Sequence, residues 1–328
     1  MSSTAASQAP AKKVPPICIV IPTFNRMDTL SICLRHLEQQ TSPDFEVIVV
    51  DDGSTDATPQ FLQQYAAATH LQMRFARQPN AGPARARNLA VSLTHAPLCL
   101  FIGDDIFAAP DFVATHLAFH HANPDERFAA LGLTRWSESG QTVTPFMRWL
   151  DNGFQFDYAA LLRGTTPDWR HFYTSNLSIK SELLRRHPFD DRFAALDLLE
   201  DGELGYRLQA LEDLHLLFLP AAVAEHLHPT DFRKACRRAF AIGRSYVFFE
   251  SLWPNALPRK SRSRLLLRGL LGRCTWLLAP CAWLVDKLTR VWCPNPFLRP
   301  VLSLHLAAGR RSIDEPQPPL DSSGSVVT

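Results

Sequence analysis

The segment Leu98–Ile106, LCLFIGDDI, runs through five apolar residues and a glycine into two adjacent carboxylates. A continuous apolar run of this length is typical of a strand buried on both faces, as in parallel sheets. Asp104 and Asp105 repel each other, so they need solvent, a hydrogen-bond donor or a cation. One interpretation is an ordinary strand-to-loop exit, because Asp is common in turns. The other is a metal site at the carboxyl end of a sheet, where open α/β folds bind ligands.

Strands and helices alternate on the amino-terminal side of this segment. Apolar runs predict strands at Ile17–Ile21 and Phe45–Val50, and a third strand at LQMRFARQ. Apolar residues at helical spacing over 27–38, and again after Pro83, predict helices between the strands. This alternation predicts parallel βαβ units, and hence an α/β sheet built from roughly the first hundred residues.

The carboxyl-terminal side continues the pattern less regularly. A helix is predicted near 110–121 and a strand at FAALGLT, whereas residues 135–170 are predicted to be irregular. A late strand at LHLLFLP precedes a basic helix from Thr230 to about Phe249. Polar clusters stand at strand ends or helix starts, namely PTFNR, DDGSTD, GDD and EDGELGYRL. In a wound α/β sheet such ends converge on one crevice, where we expect the chemistry to lie.

The charge of the chain is divided unevenly. The 328 residues carry a formal net charge of +2, yet between Arg233 and Arg311 there are sixteen Lys and Arg residues against two acidic ones. Such asymmetry indicates a polyanionic partner, either nucleic acid or an anionic membrane surface. The high apolar and Trp content of the same region favours the membrane, and nucleic acid is not expected as a partner. A helical hairpin packed on the preceding domain, or a dimer contact, is the plain alternative.

Cysteine usage and hydropathy indicate the redox compartment of the protein and whether it spans a membrane. Seven cysteines occur without a CxxC pair or zinc-type spacing, which favours a reducing compartment. No segment reaches the roughly 18–20 apolar residues that span a bilayer, and the longest one near the end, Cys274–Val285, contains Pro280. The sequence divides into a disordered leader at 1–14, an α/β domain at 15–230, a basic helical membrane-associating region at 231–311 and a disordered tail at 312–328.

Six motifs together resemble those of the family 2 glycosyltransferases, which have the GT-A fold. They extend from about Val14 to Arg244 and follow the family's order: IVIPTFNR, VIVVDDGSTDAT, NAGPARARNLA, FIGDDI, TSNLSIKSELL with FDDRF, and LEDGELGYRL. The resemblance implies a wound mixed sheet with flanking helices, which makes 15–230 a GT-A catalytic domain that uses a nucleoside-diphosphate sugar. A dinucleotide oxidoreductase also uses a wound sheet, but IPTFNR stands where GxGxxG would follow the first strand.

The resemblance implies a donor pocket built from the first three motifs. Positions that line the nucleotide pocket match Pro22, Thr23 and Arg26, the acidic positions that hydrogen-bond the base match Asp51 and Asp52, and the arginine that faces the nucleotide matches Arg87. Each has an ordinary alternative: Thr23 could cap a helix, and Asp51 and Asp52 could form a turn with the glycine that follows them.

For the paired carboxylates, the resemblance implies a divalent cation. The family usually carries Asp-any-Asp here and holds Mg²⁺ or Mn²⁺ against the diphosphate. Aligned on the apolar run, Gly103 replaces the first Asp, so Asp105 is the expected metal ligand and Asp104 would contact ribose or metal-bound water. A second ligand is expected from His226, with His228 as the alternative, although either could be a surface or capping histidine. The departure at Gly103 implies a skewed or weakened metal site.

Glu200 and Asp201, in LEDGEL, match the family's Glu-Asp pair at the start of a helix. In the family this Asp is the general base, because an alcohol is a poor nucleophile until its proton is taken. A direct displacement would then invert the anomeric centre, while a helix-capping pair is the structural alternative. Trp169, with Trp149 and His171, precedes TSNLSIK, where acceptor contacts often fall, although tryptophan is more often a core residue.

The resemblance also bounds the expected function. It implies an inverting hexosyltransferase that acts on a glycan or lipid-linked glycan acceptor in cell-surface polysaccharide synthesis. We expect a cytoplasmic protein that is peripheral to the cytoplasmic face of the membrane. The competing interpretation is a catalytically silent relative that binds only nucleotide or a partner, and Gly103 motivates it.

Overall fold

One mixed sheet of eight strands organises the described part of the chain. The structure is a computed structural model that describes residues 14–151, 153, 155–196, 198–257, 289 and 295–312. The strands are β1 (Ile17–Thr23), β2 (Glu46–Asp51), β3 (Met73–Arg77), β4 (Leu98–Ile102), β5 (Ile106–Ala108), β6 (Phe128–Trp136), β7 (Asn176–Lys180) and β8 (His215–His226). The helices are α1 (Met27–Glu38), α2 (Thr58–Ala68), α3 (Gly82–Leu93), α4 (Phe112–Ala122), α5 (Pro145–Leu150), α6 (Tyr158–Leu162), α7 (Ser181–Arg186), α8 (Glu200–Glu212), α9 (Phe232–Leu252) and α10 (Asn295–Arg311). Short 3₁₀ helices lie at Trp169–His171 and Asp191–Leu196.

The strand order is β3-β2-β1-β4-β7-β6-β8-β5. β1 pairs in parallel with β2 and β4, and β2 pairs in parallel with β3, as the predicted βαβ alternation requires. β7 pairs antiparallel with β4 and β6, and β5 pairs antiparallel with β8. This mixed sheet confirms the predicted α/β class. Because β1, β2 and β4 are parallel neighbours, their last residues, Thr23, Asp51 and Ile102, lie at the same edge.

Each face of the sheet carries its own apolar cluster. Along β1, Cys18 and Val20 belong to the cluster on one face, and Ile17, Ile19 and Ile21 to the cluster on the other. All five are fully buried, which is the two-sided burial that parallel strands show. Cys18, Cys33 and Cys99 are buried within the described structure and form no disulfide there.

Two regions differ in extent from their sequence prediction. Residues 135–170, predicted to be irregular, contain α5 and α6, which are six and five residues long. Helices this short show no apolar period over the window of about 11–18 residues that reveals longer ones. β8, predicted only at LHLLFLP, is twelve residues long because it continues past an irregularity opposite Gly132 and Leu133. The extension brings His226 to the end of the strand.

The helices α9 and α10 form the carboxyl-terminal part of the described structure. They cross so closely that a Cβ on Gly243 would overlap the carbonyl oxygen of Leu306, and one on Gly309 would overlap that of Phe240. Among the described helices, none combines the length and apolar content that crossing a bilayer requires. The predicted disordered leader and tail lie outside the described residues except for Val14 and Ser312, and so do residues 258–288 and 290–294 of the predicted basic region.

Candidate active site

The two carboxylates that follow β4 are buried and share one arginine. A terminal nitrogen of Arg26 donates to Asp105 Oδ2 at 2.8 Å, and Arg26 Nε lies 3.4 Å from Asp104 Oδ1. Thr23 Oγ1 donates to Asp104 Oδ2 at 2.7 Å, from the end of β1 one residue after Pro22. The structure therefore brings Thr23 and Arg26 of the first motif against the paired carboxylates. A shared cation and a hydroxyl donor explain how two like charges lie side by side.

The two carboxyl groups differ in protonation. Burial raises the pKa of Asp104 to about 7, with Arg26 opposing the rise and Asp105 adding to it. Burial also disfavours the charged form of Asp105, but His226, His228 and Arg26 outweigh it and hold the pKa of that carboxyl well below its usual range. At neutral pH Asp105 is thus ionised, while Asp104 carries a proton part of the time. Asp105 is the carboxylate available to a cation.

Asp105 forms a compact group with two histidines. His226 Nε2 and His228 Nδ1 each lie 3.3 Å from Asp105 Oδ2, and one ligand atom from each of the three residues lies within 4.8 Å of the others. Pairing of β5 with β8 sets Ile106 opposite His226, which carries the histidine to the carboxylate. The His226 ring is stacked on Trp136, with ring centroids 5.5 Å apart, so its orientation is restrained.

The donor set of this group fits a divalent metal. One ionised carboxylate oxygen and two imidazole nitrogens suit a divalent transition metal better than Mg²⁺, which prefers oxygen ligands throughout. His228 is well suited to ligation because it is neutral: although its hydrogen bond to Asp105 favours the charged ring, burial and the neighbouring His226 lower its pKa overall. A neutral imidazole has a lone pair to offer a metal. The three residues therefore fit the cation that the resemblance implies.

Gly103 is required by the position of Asp105. A Cβ placed on Gly103 would lie 2.7 Å from Asp105 Oδ1, closer than real Cβ contacts. The Asp105 carboxylate therefore uses space that a side chain at position 103 would fill. The glycine that replaces the family's first Asp thus leaves room for Asp105 to contact the two histidines.

Asp51 and Asp52, at the end of β2, have different partners. Asp51 Oδ1 accepts a hydrogen bond from the Ser54 backbone at 2.9 Å, and Asp51 Oδ2 lies 3.3 Å from Arg77 Nε. Asp52 accepts three hydrogen bonds, at 2.7, 2.9 and 2.8 Å, from the segment that leads into α3. The Asp52 carboxylate therefore serves the fold of that segment. The buried Oδ2 of Asp51 has no hydrogen-bond partner among the described residues.

The second acidic pair opens α8. Glu200 Oε1 accepts a hydrogen bond at 2.7 Å from Arg87 of α3, and both side chains are about nine-tenths buried. Asp201 Oδ1 accepts from the backbone N–H of Gly202 at 2.7 Å, which leaves Oδ2 to other partners. Arg87, predicted to face the nucleotide, therefore pairs with the glutamate that neighbours the predicted base.

Asp201 has the electrostatics of a base that works near neutral pH. Burial raises its pKa to about 6, the adjacent Glu200 adds to the rise, and Arg87 opposes it. A carboxylate with this pKa is ionised at pH 7 yet binds a proton more strongly than an ordinary aspartate. The N-terminal end of α8 favours its ionised form.

A left-handed residue immediately precedes this pair. Leu199 has φ +83°, a conformation that costs a non-glycine residue about 1–3 kcal/mol. It is the N-cap of α8, and its side chain lines the cavity described next. The strained turn therefore lies at the point where α8 meets the cavity.

A cavity of about 680 Å³ extends from the loop after β4 to the acidic pair of α8. Its wall includes Gly103, from the loop after β4, together with Arg87, Glu200 and Asp201. Asp105, two residues beyond Gly103, is not part of the wall itself. The loop after β4 and the start of α8, a hundred residues apart in the chain, therefore meet at one cavity.

The predicted acceptor residues divide into two groups. Trp169 and His171, in the first 3₁₀ helix, line the cavity. Trp169 also stacks on Phe249 of α9, with ring centroids 5.2 Å apart, so it has a packing role as well. Trp149 does not line the cavity; it stacks on Phe146 within the apolar cluster that joins α5 to α9 and α10.

Two site residues were not predicted from the sequence. Asn25 adopts φ +53°, and its side-chain oxygen accepts from the Thr55 backbone at 2.7 Å, which joins the loops after β1 and β2. The tolerance of Asn for left-handed backbone is the signal that could have identified it. Arg238 of α9 lines the cavity and acts on Asp201 and Glu200. It is one of sixteen cations in the basic region, and no local pattern distinguishes it.

Sequence comparison finds the same family that the motifs resemble. Residues 18–176 match the model described as glycosyl transferase family 2. The chain is 32% identical over 222 residues to validoxylamine A glucosyltransferase of Streptomyces hygroscopicus subsp. jinggangensis, covering 60% of this chain and 52% of that one. It is 34% identical over 113 residues to poly(ribitol-phosphate) beta-glucosyltransferase of Bacillus spizizenii, covering 34% of this chain and 18% of that one. The chain thus spans about half the length of the first curated relatives that it matches.

Structural comparison finds the same fold. The mannosyltransferase PcManGT of Pyrobaculum calidifontis, in complex with GDP-Man and Mn²⁺, superposes with a TM-score of 0.60 at 19% identity. The match covers 93% of this chain and 89% of that chain. At this identity the likeness concerns the fold, and it agrees with the mixed sheet described above.

Proposed function

The chain belongs to glycosyl transferase family 2 through residues 18–176, and we propose that it transfers a sugar from a nucleoside-diphosphate sugar to a hydroxyl group of an acceptor. The observation that carries the proposal is the single cavity whose wall contains both Gly103 and Asp201. It brings the candidate base to the same space as Gly103, which is two residues before the candidate cation ligand Asp105. Displacement at a sugar carbon needs these two groups together.

The proposed base is Asp201. Its Oδ2, which is not the atom that accepts from Gly202, would take the proton of the acceptor hydroxyl as the acceptor oxygen forms a bond to the anomeric carbon. The bond from that carbon to the phosphate oxygen breaks at the same time, and its electron pair leaves with the nucleoside diphosphate. One displacement inverts the anomeric centre. Glu200, held by Arg87, supports the role because its charge helps to raise the pKa of Asp201.

A divalent cation is proposed at Asp105, His226 and His228. When bound, it supplies positive charge for the leaving diphosphate. The mixed oxygen and nitrogen donor set leads us to propose Mn²⁺ rather than Mg²⁺. The Mn²⁺ and GDP-Man bound to the structurally similar mannosyltransferase support a metal-assisted reaction in this fold.

The proposed nucleotide pocket lies at the ends of β1 and β2. Asp51 has a buried carboxylate oxygen without a hydrogen-bond partner among the described residues, which suits an N–H of a base. Asp52 would act indirectly, because its carboxylate holds the segment before α3. Thr23 and Arg26 would act next to the diphosphate, since they contact Asp104 and Asp105.

The acceptor is proposed from the names of the relatives, and the cellular site from the charge of the chain. The relatives named as a poly(ribitol-phosphate) beta-glucosyltransferase and a validoxylamine A glucosyltransferase both support a hexosyltransferase, and the first supports our proposal of a polymer acceptor in cell-surface polysaccharide synthesis. The cation-rich region 231–311 supports a peripheral position on an anionic membrane surface. Co-sedimentation with anionic but not neutral vesicles, lost at high salt, would test the membrane proposal.

The donor proposal is tested by screening nucleoside-diphosphate sugars for thermal stabilisation with Mn²⁺, followed by turnover assays with the best ligand. A ligand at a hundred times its Kd stabilises the folded state by about 2.7 kcal/mol. We expect one donor class to raise the melting temperature and to be consumed. No shift with any donor would contradict the proposal. Another outcome is a donor that raises the melting temperature and yet is neither transferred to any acceptor nor hydrolysed. That result would favour the catalytically silent relative, which the glycine at position 103 suggests.

A further inference from the structure

The first two turns of α9 form one side of a narrow cleft beside the main cavity. The cleft has a volume of about 50 Å³, and its polar lining consists of Gln155, His228, Thr230, Lys234 and Arg238. Arg238 also lines the main cavity, so the cleft and the cavity adjoin at this side chain. His228 belongs to the candidate metal group, which the cleft therefore borders.

The described lining of the cleft is cationic, and the acids that act on Arg238 belong to the main cavity. None of the described residues that line it is acidic, whereas Lys234 and Arg238 both contribute exposed side chains. Lys234 Nζ donates to the carbonyl oxygen of Pro229 at 2.7 Å, which restrains the ammonium group at the loop between β8 and α9. Arg238 is close enough to Asp201 and Glu200 for their charges to act on it. Two cationic residues thus line a cleft that shares His228 with the candidate metal group and Arg238 with the cavity that Asp201 lines.

We propose that Lys234 and Arg238 bind a phosphate group in this cleft. A guanidinium group presents a planar set of donors to phosphate oxygens, and an ammonium group adds a compact charge. Thr230 and Gln155 supply further polar atoms at the same lining. The source of the phosphate rests on the proposed function: it is the diphosphate of the donor or a phosphate carried by the acceptor, and the chemistry of recognition is the same.

The proposal gives α9 a part in substrate recognition. This helix lies outside residues 18–176, which match the family model. Contact of Gly243 and Gly309 with the facing backbones fixes α9 against α10, and the ring of Phe249 fixes it against Trp169. These contacts hold Arg238 at the cavity, so the carboxyl-terminal helices complete the site rather than only extending the fold.

The test compares Arg238→Gln and Lys234→Gln with Arg237→Gln. Arg237 is exposed on the same helix and lines neither the cavity nor the cleft, so it controls for the loss of one charge. Calorimetry would measure the binding of UDP, GDP and the corresponding monophosphates with Mn²⁺, and the binding of inorganic phosphate to the nucleotide-saturated protein. Unchanged melting temperatures would show that the variants fold.

We expect about a tenfold or greater loss of affinity in both cleft variants. A loss for the diphosphates, but not for the monophosphates, assigns the cleft to the donor. A loss for inorganic phosphate alone assigns it to a phosphate on the acceptor. Affinities equal to those of Arg237→Gln for every probe would overturn the proposal. If the wild-type protein binds no nucleoside diphosphate, the proposed function fails, and the binding of inorganic phosphate to the free protein still tests the cleft.

Discussion

The state of single carboxyl groups controls the proposed reaction. Asp105 and Asp201 are both surrounded by protein, yet their pKa values move in opposite directions. Arg26 and two histidines hold Asp105 ionised, as a metal ligand must be. Burial and Glu200 raise the pKa of Asp201, as suits a group that accepts a proton. Neighbouring residues thus give the two aspartates different roles.

The raised pKa of Asp201 predicts the pH dependence of turnover. A base with a pKa of about 6 is ionised above that value, so kcat/KM should be level near pH 8 and fall about tenfold per unit below pH 6. Asp201→Asn should lower kcat by about 10²–10⁴-fold while donor binding persists. Asp213→Asn, on the exposed residue that follows α8, is the matched control and should retain the profile. An Asp201→Asn variant with the same pH profile as the wild type would exclude this residue as the base.

Gly103 provides a second prediction at this scale. In Gly103→Ala the new Cβ would displace the Asp105 carboxylate, because the two would otherwise lie 2.7 Å apart. The displaced atom ends a side chain, so we expect the melting temperature to change little. The Mn²⁺ concentration for half-maximal activity should rise, which a metal titration at fixed donor measures. A titration identical to that of the wild type would refute the coupling between Gly103 and the metal group.

Sequence motifs identified some of these residues but not others. Asp105, Glu200 and Asp201 were predictable because each follows a strand end or begins a helix inside a family motif. Arg238 was not, because its role depends on where α9 packs, which no local spacing encodes. Leu199 was also beyond prediction, since leucine has no preference for the left-handed backbone that it adopts here.

At the scale of helices and strands, the buried parallel strands were the most predictable elements. β1, β2 and β4 are almost entirely apolar, because a strand that is buried on both faces needs apolar side chains at successive positions. β5 is three residues long and forms only by pairing with β8. Its pairing depends on a contact more than a hundred residues away, so sequence periodicity could not reveal it. That pairing is what delivers His226 to Asp105.

The crossing of α9 and α10 predicts an unusual response to alanine. In an exposed helix, Gly→Ala stabilises by about 1 kcal/mol because glycine is a poor helix former. In Gly309→Ala the new methyl group would instead meet the backbone of Phe240, so we expect a loss of about 1–3 kcal/mol in the free energy of unfolding. Ser303→Ala, on the same helix, is the control, and urea unfolding is the measurement. Stabilisation of Gly309→Ala would contradict the close crossing.

For the whole molecule, buried histidines tie stability to pH. Burial lowers the pKa of His116 to about 4, against the opposing effect of the hydrogen bond that its ring donates to Asn176 Oδ1. Burial, with Lys180 and His116 adding to it, lowers the pKa of His120 to about 3. Both pKa values are below those of histidine in the unfolded chain, so the unfolded chain binds protons first as the pH falls. The two neutral histidines therefore contribute fully to the free energy of unfolding above about pH 6.5, and this contribution is lost as the pH falls toward 4 and 3.

Replacing one of these histidines should make the free energy of unfolding less dependent on pH. Between pH 7.5 and 5 we expect His116 alone to cost the folded state about 2 kcal/mol, which His116→Gln would remove. His121→Gln, on the exposed neighbour in α4, is the control. Urea unfolding at the two pH values measures the difference. An equal acid-induced loss in His116→Gln and the wild type would contradict the assignment.

We propose that Asp105 with its two histidines holds the cation while Asp201 takes the proton, in one reaction at one cavity. Mn²⁺ binding, read by electron paramagnetic resonance with a nucleoside diphosphate present, would be measured alongside turnover in the same samples. We expect that Asp201→Asn binds Mn²⁺ as the wild type does, that Asp105→Asn does not, and that both lose turnover. Wild-type Mn²⁺ affinity in Asp105→Asn, or wild-type turnover in Asp201→Asn, would contradict this proposal.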